Sequence, residues 1–67
     1  MGVIKVIEIL ASSDESWEDA AKKGISEASK TLKHIRSAYI KEQSATVNED
    51  GKITHYRVNM KLSFEIK

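Results

Sequence analysis

The sequence predicts an α+β domain in the order β-α-β-β, with a long hairpin wrapped around one helix. Three observations predict it: a β-branched first segment, a stripe of apolar and small residues at helical spacing, and an alternating last segment that follows an Asp-Gly turn. With 67 residues we expect one domain, 1–67, which buries only roughly 60% of its unfolded-state surface. Cysteine is absent, so oligomerisation is the stabilisation that remains for this small core.

The first strand is predicted at residues 3–10, which are rich in β-branched side chains. Its alternation is incomplete, since apolar residues point to both faces and only Lys5 and Glu8 break the run. A strand of this kind is expected to be covered on both sides. One helix cannot do that in a small monomer, so the strand predicts contacts between subunits. The two apolar faces are Val3, Ile7 and Ile9 on one side and Ile4, Val6 and Leu10 on the other.

The helix is predicted to begin at one of three serines, Ser12, Ser13 or Ser16, because their hydroxyls can accept hydrogen bonds from the free N–H groups of a first turn. Ser12 with Glu15 has the spacing of a capping box. We expect the helix to end near His34, where basic residues complement the helix dipole. Its apolar stripe, with small residues that allow close approach to a sheet, is Trp17, Ala20, Ala21, Gly24, Ile25, Ala28, Leu32 and Ile35.

The second and third strands are predicted at 38–47 and 53–66, and NEDGK at 48–52 is the hairpin turn between them. The third strand alternates throughout its length, so one face is apolar and the other is polar. The apolar face is the natural partner of the helix stripe. Its residues are Tyr56, Val58, Met60, Leu62, Phe64 and Ile66.

Composition and motifs exclude several classes of function. The net charge of +1, with 11 basic and 10 acidic residues well mixed, predicts no binding to nucleic acid or to anionic membranes. The opening MGVIKVIEIL resembles neither a signal peptide nor a membrane span, so we expect a cytoplasmic protein. Capping explains the serines at 12, 13 and 16, and His34 and His55 are expected at a helix end and on a strand surface. We therefore expect no enzyme.

Three segments carry a resemblance to a known family: KVIEILASSDESWEDAA at 5–21, ASKTLKHIR at 28–36 and GKITHYRVNMKLSFEI at 51–66. In this order and spacing they resemble the dodecin family. The resemblance implies an antiparallel three-stranded sheet partly wrapped around one helix, and twelve such subunits assembled into a hollow homododecameric shell.

The resemblance also concerns flavin. In flavin-binding dodecins a tryptophan at the start of the second strand stacks on the isoalloxazine ring, and a glutamine in the third strand bonds its polar edge. The resemblance places Ser37 and Arg57 at those two positions, so the usual stacked flavin is not expected. Tyr39 shares a face with Ser37 and could offer a ring. Arg57 could donate to a phosphate or a flavin carbonyl, or it could pair with a neighbouring carboxylate. Trp17 is expected in the core or at a subunit contact rather than as a stacking platform.

Four short segments, SWEDAA, HIR, IKEQ and GKIT, are most similar to the tryptophan-less branch called calcium dodecins. This resemblance implies a divalent cation, calcium or magnesium, as the ligand. Calcium takes 6 to 8 oxygen ligands, and a single chain has no EF-hand pattern, but copies of one carboxylate can converge at a symmetry axis. Glu15 and Glu42 match acidic positions of the family and are the candidate ligands, although a glutamate at either position is more often a solvated surface residue.

We therefore expect a non-enzymatic, dodecin-like homododecameric shell that binds or stores a small ligand or a cation. The alternative is a flavin-binding protein that buffers FMN or riboflavin through Tyr39 and Arg57. A third hypothesis, from another class, is an interaction module whose sheet face pairs with a different protein.

Overall fold

The computed structural model describes residues 2–66, which form one three-stranded sheet and one helix. The elements are β1 (Val3–Ser13), α1 (Trp17–Ala28), β2 (Ile35–Val47) and β3 (Ile53–Ile66). β3 lies in the middle of the sheet, antiparallel to both β1 and β2. The predicted α+β class and the order β-α-β-β are confirmed, and β3 has the predicted bounds.

The sheet has two distinct faces. The inner face packs against α1 and contains Val58, Met60 and Leu62, which are fully buried. The outer face is turned away from α1 and contains the alternating residues of β3, such as Arg57 and Lys61. The predicted pairing of the apolar face of β3 with the helix stripe is thereby confirmed. The core cluster of Ala20, Val58 and Met60 is extended by the partly buried Ile9, Ala11, Trp17, Ala21 and Ile25.

Of the three predicted caps, Ser16 begins the helix. Its hydroxyl accepts a 2.9 Å hydrogen bond from the backbone N–H of Asp19. Ser13 is buried and holds the turn before the helix, because its hydroxyl accepts from the N–H of Glu15 at 2.9 Å and donates to Asp19 Oδ2 at 2.6 Å. Ser12 remains in β1, so the capping box of Ser12 and Glu15 does not form.

The helix ends at Ala28, and the prediction that it continues to near His34 was wrong. At Ser29 the hydroxyl donates to the backbone carbonyl of Ser26 at 2.8 Å, a local bond that competes with helix continuation. The following N–H groups of Lys30 and Thr31 bond to carbonyls three residues back, as in an irregular turn. The basic residues expected to complement the helix dipole therefore lie beyond α1, whose last turn contains none.

The chain enters β2 through His34, which has a φ of 64°. This is a left-handed conformation that non-glycine residues adopt uncommonly, and the His34 carbonyl accepts a 3.0 Å hydrogen bond from the N–H of Glu65. β2 accordingly begins at Ile35, three residues before its predicted start. β1 likewise continues past Leu10, because residues 11–13 pair with β3.

The hairpin between β2 and β3 has the predicted turn. Asn48 Oδ1 accepts hydrogen bonds from the N–H groups of Asp50 and Lys52, at 2.9 and 3.1 Å. Gly51 has a φ of 78°, which glycine adopts without steric cost. The side chain of Asn48 and the conformation of Gly51 together close the turn.

Candidate functional site

The outer face carries the polar residues of the central strand and all three of the predicted ligand-binding residues. Ser37 lies opposite Ser63, and their hydroxyls are hydrogen-bonded to each other. Tyr39 lies opposite Lys61, and the residue is 66% exposed. Ser37 and Tyr39 therefore share the outer face, where a ligand could reach both side chains.

Arg57 lies on the same face but at a different position along the strands. It stands in one row with Ser12 of β1 and Ser44 of β2. It lies four positions along β3 from Lys61, which is about 13 Å along a strand. Within one chain the structure brings Ser37 and Tyr39 together but leaves Arg57 apart from both.

The environment of Arg57 differs from the expected surface ion pair. Arg57 is half-buried, and none of the ion pairs found among residues 2–66 includes it. The other arginine, Arg36, is exposed and bonds Glu65 Oε1 through both Nε, at 3.1 Å, and Nη2, at 2.8 Å. The guanidinium of Arg57 therefore has donors to offer to a ligand.

The two candidate cation ligands lie on different elements. Glu15 is exposed in the turn between β1 and α1, and Glu42 is exposed on β2, opposite Asn59 and directly after a β-bulge. Among residues 2–66, no three histidine or carboxylate side chains gather closely enough to share a metal ion. One chain by itself does not fit a calcium site, so a cation held by either glutamate needs ligands from further copies.

A charged network lies at the start of the helix. The hydrogen bond from Ser13 is the largest cause that lowers the pKa of Asp19 below its usual 3.8, and the hydrogen bond from Lys23 adds to it. The same contact, a 3.1 Å ion pair with Asp19, raises the pKa of Lys23 above its usual 10.5. Asp19 is therefore held as a carboxylate by structural partners and is not poised for proton transfer.

The side chain of Trp17 is held by contacts within the fold. Its ring meets that of Tyr56 edge to face, with 4.9 Å between centroids and 78° between planes. Its indole Nε1 donates a 2.8 Å hydrogen bond to the carbonyl of Ser44. The ring also packs against the core cluster and is partly buried, in agreement with the prediction that Trp17 lies in the core or at a subunit contact.

A single chain leaves much of β1 uncovered. Its apolar residues Val3, Ile4, Val6 and Leu10 are 50 to 67% exposed, on both faces of the strand. A groove of about 420 Å³, lined by Leu10 among others, lies between residues 9–12 of β1 and four residues of α1. Its α1 side is formed by Lys23, Gly24, Glu27 and Ala28.

Comparison with known proteins decides the family. The model of the family described as Dodecin matches residues 3–67. The chain belongs to the dodecin family. The calcium dodecin of Mycobacterium tuberculosis is 40% identical over 67 residues, which is 100% of this chain and 93% of that protein. The resemblance to dodecins, including their calcium dodecin branch, is thereby confirmed.

Solved dodecin structures share the fold. The dodecin from Streptomyces davaonensis matches with a TM-score of 0.93 and 30% identity, over 98% of this chain and 96% of that one. The calcium-chelating calcium dodecin of M. tuberculosis, crystallised with a novel calcium-binding site, matches with a TM-score of 0.85 and 38% identity. That match covers 97% of this chain and 91% of the other.

Two further observations complete the description of this dodecin. Sequence reasoning did not single out Ser12 and Ser44 as neighbours of Arg57, because only the strand register places them in its row. Within residues 2–66, the helix is too short and too polar to cross a bilayer.

Proposed function

We propose that the chain assembles into a homododecameric, non-catalytic shell that binds and stores a small ligand or a cation. The observation that carries the proposal is the uncovered apolar surface of β1. A folded monomer of 7.5 kDa is expected to expose roughly 4,250 Å², whereas this chain exposes 4895 Å². Contacts between subunits would cover β1 and the groove beside it, and the resemblance to dodecins supports twelve copies.

The cation is the first candidate ligand. The similarity to a calcium dodecin supports it, and so does the exposure of Glu15 and Glu42. Since one chain does not gather enough ligands, we propose that repeated copies of Glu15, of Glu42, or of both converge around symmetry axes. Carboxylate oxygens are the ligands that calcium and magnesium prefer.

Native mass spectrometry tests the shell and its contents together. We expect twelve subunits and a retained mass of divalent metal ions. A stable monomer or dimer would contradict the shell and favour an interaction module that pairs with another protein. Cell fractionation tests the cytoplasmic location that belongs to the same proposal.

Calcium titration of metal-free protein tests the two glutamates. We expect Glu15→Gln or Glu42→Gln to weaken calcium binding at least tenfold, since each shell would lose the same carboxylate from every copy. Glu49→Gln, a matched change in the exposed hairpin turn, serves as the control. Equal affinity in all three variants would remove both glutamates from the proposal.

Flavin is the second candidate ligand, favoured by the exposed ring of Tyr39 beside Ser37. Because Arg57 lies apart from that ring, a flavin held by both side chains would need two copies. We expect FMN and riboflavin to bind weakly or not at all in a fluorescence titration. Submicromolar binding with full quenching, abolished by Tyr39→Ala and weakened by Arg57→Ala, would replace the cation by flavin as the stored ligand.

A further inference from the structure

The tip of the hairpin between β2 and β3 contains an aspartate, Asp50, that is followed directly by Gly51. The hairpin extends beyond the end of β1, whose last pair with β3 joins Ser13 to Tyr56. Residues 47–55 are all exposed, and backbone hydrogen bonds in such regions open more readily than those of a core. The link between Asp50 and Gly51 therefore lies in a two-stranded, solvated part of the sheet.

The carboxylate of Asp50 can approach the peptide group that follows it. Among residues 2–66, none of the side-chain hydrogen bonds and ion pairs includes this carboxylate, while the backbone N–H of Asp50 donates to Asn48 Oδ1 at 2.9 Å. Gly51 has no side chain, and nothing lies within 4 Å of where its Cβ would be. Its amide nitrogen is therefore open to close approach.

The other two aspartates of the chain differ from Asp50. Asp19 lies in α1 and accepts a 2.6 Å hydrogen bond from the Ser13 hydroxyl. Asp14 is exposed like Asp50, but the next residue is Glu15, which carries a side chain and whose N–H donates to Ser13 Oγ at 2.9 Å. Asp50 is therefore the aspartate whose neighbour presents an unhindered amide nitrogen.

We propose that Asp50 is a site of covalent self-modification, at which the chain converts this residue to isoaspartate. The amide nitrogen of Gly51 bonds to Cγ of Asp50 and closes a five-membered succinimide ring. The carboxylate takes up one proton from solvent, and one of its oxygens leaves as water with that proton and the amide proton. One water then opens the ring. Opening at the Cγ carbonyl restores aspartate, and opening at the backbone carbonyl gives isoaspartate, in which the chain runs through Cγ.

The turn limits this reaction and is altered by it. The Gly51 N–H donates to the Asn48 carbonyl at 3.0 Å, so this bond must open before the nitrogen attacks. Isoaspartate adds one carbon atom to the backbone at a link that three of the four turn hydrogen bonds span. These three are the bond from Gly51, the 3.1 Å bond from the Lys52 N–H to Asn48 Oδ1 and the 2.9 Å bond from the Asn48 N–H to the Lys52 carbonyl. The modification should therefore loosen the hairpin, whatever ligand or cation the protein binds.

The test is peptide mapping of the full chain, as purified, after several weeks at neutral pH and body temperature. Isoaspartate and aspartate have equal mass, but their peptides separate in chromatography and give different backbone fragments in electron-transfer mass spectrometry. We expect isoaspartate to accumulate at Asp50 at least tenfold faster than at Asp14, the exposed control in the same chain. The succinimide should appear as a minor form that is lighter by one water.

Two variants test the mechanism. Asp50→Glu should abolish the reaction, because the longer side chain would have to close a six-membered ring, and its melting temperature should stay constant while that of the unmodified protein falls during incubation. Asn48→Ala should form isoaspartate about threefold faster, because the Asn48 side chain no longer holds the turn closed. The proposal is overturned if isoaspartate at Asp50 stays at the level found at Asp14, or if Asn48→Ala forms it no faster than the unmodified protein.

Discussion

The indole nitrogen of Trp17 donates a 2.8 Å hydrogen bond to the backbone carbonyl of Ser44. This bond joins the first turn of α1 to β2, an edge strand of the sheet. The same side chain packs edge to face on Tyr56 of the central strand. One residue therefore links the helix to two strands of the hairpin.

Replacing Trp17 by Phe should keep a ring against Tyr56 but remove the bond to Ser44. We expect the free energy of unfolding to fall by about 1 kcal/mol, the usual net value of one hydrogen bond. Urea unfolding followed by circular dichroism, at one protein concentration for all variants, measures it. Tyr39→Phe, at an exposed ring, is the control and should change stability by less than about 0.5 kcal/mol. A Trp17→Phe protein as stable as the control would contradict the role of the bond.

Gly24 should resist substitution because the helix lies close to the sheet there. An added Cβ would be 2.8 Å from Met60 Cε and 2.9 Å from Ala11 Cβ. Overpacking of this kind costs about 1–3 kcal/mol, while alanine gains about 1 kcal/mol in helix propensity. We therefore expect Gly24→Ala to destabilise the protein by up to about 2 kcal/mol.

Ser26→Ala, on the exposed side of the same helix, is the control for Gly24→Ala. It gains helix propensity without a steric conflict and should raise the melting temperature slightly. Thermal unfolding of both variants at the same concentration compares them. A Gly24→Ala protein that melts above the unmodified protein would show that Met60 moves aside at little cost.

Gly51 should be required for its backbone conformation rather than for its small size. It has a φ of 78°, and nothing lies within 4 Å of where its Cβ would be. We expect Gly51→Ala to cost about 1–2 kcal/mol, and Gly51→Asn to cost less, since asparagine tolerates this region. Chemical denaturation of the two variants, with Glu49→Ala as the control in the same turn, checks the order. Equal stability of the alanine and asparagine variants would contradict it.

The pKa of Asp19 predicts a loss of stability in acid. Because the hydrogen bond from Ser13 and the contact with Lys23 lower the pKa in the folded state, the stabilisation is present above the unfolded value of 3.8. It is lost as the pH falls below that value and through the folded pKa. Carbon-detected titration of the Asp19 carboxyl, together with melting temperatures between about pH 2 and 6, measures both effects.

Ser13→Ala should raise the pKa of Asp19 towards its usual value and reduce this acid-dependent part of the stability. Ser12→Ala, one residue away and without a bond to Asp19, is the matched control. If both variants keep the same titration of Asp19, the Ser13 hydroxyl is not the cause of the lowered pKa.

Local patterns accounted for much of the fold. The alternation of β3 predicted its bounds and its buried face, and the Asp-Gly pair predicted the turn. These predictions were correct because each depends only on residues that are adjacent in the chain. The predicted end of α1 was wrong. The apolar stripe of the helix continues through Leu32 in the sequence, but the hydrogen bond of the Ser29 hydroxyl and the left-handed conformation of His34 turn the backbone away from the helix.

The sequence by itself determined the element order, the apolar face of β3, the turn and, through its resemblance, the family. The tertiary structure decided the rows of the outer face: Ser37 and Tyr39 lie together, whereas Arg57 lies between Ser12 and Ser44. The physical reason is that side-chain direction repeats along one strand, but neighbours across strands depend on register. That register is set by β-bulges and by core packing between residues far apart in the chain.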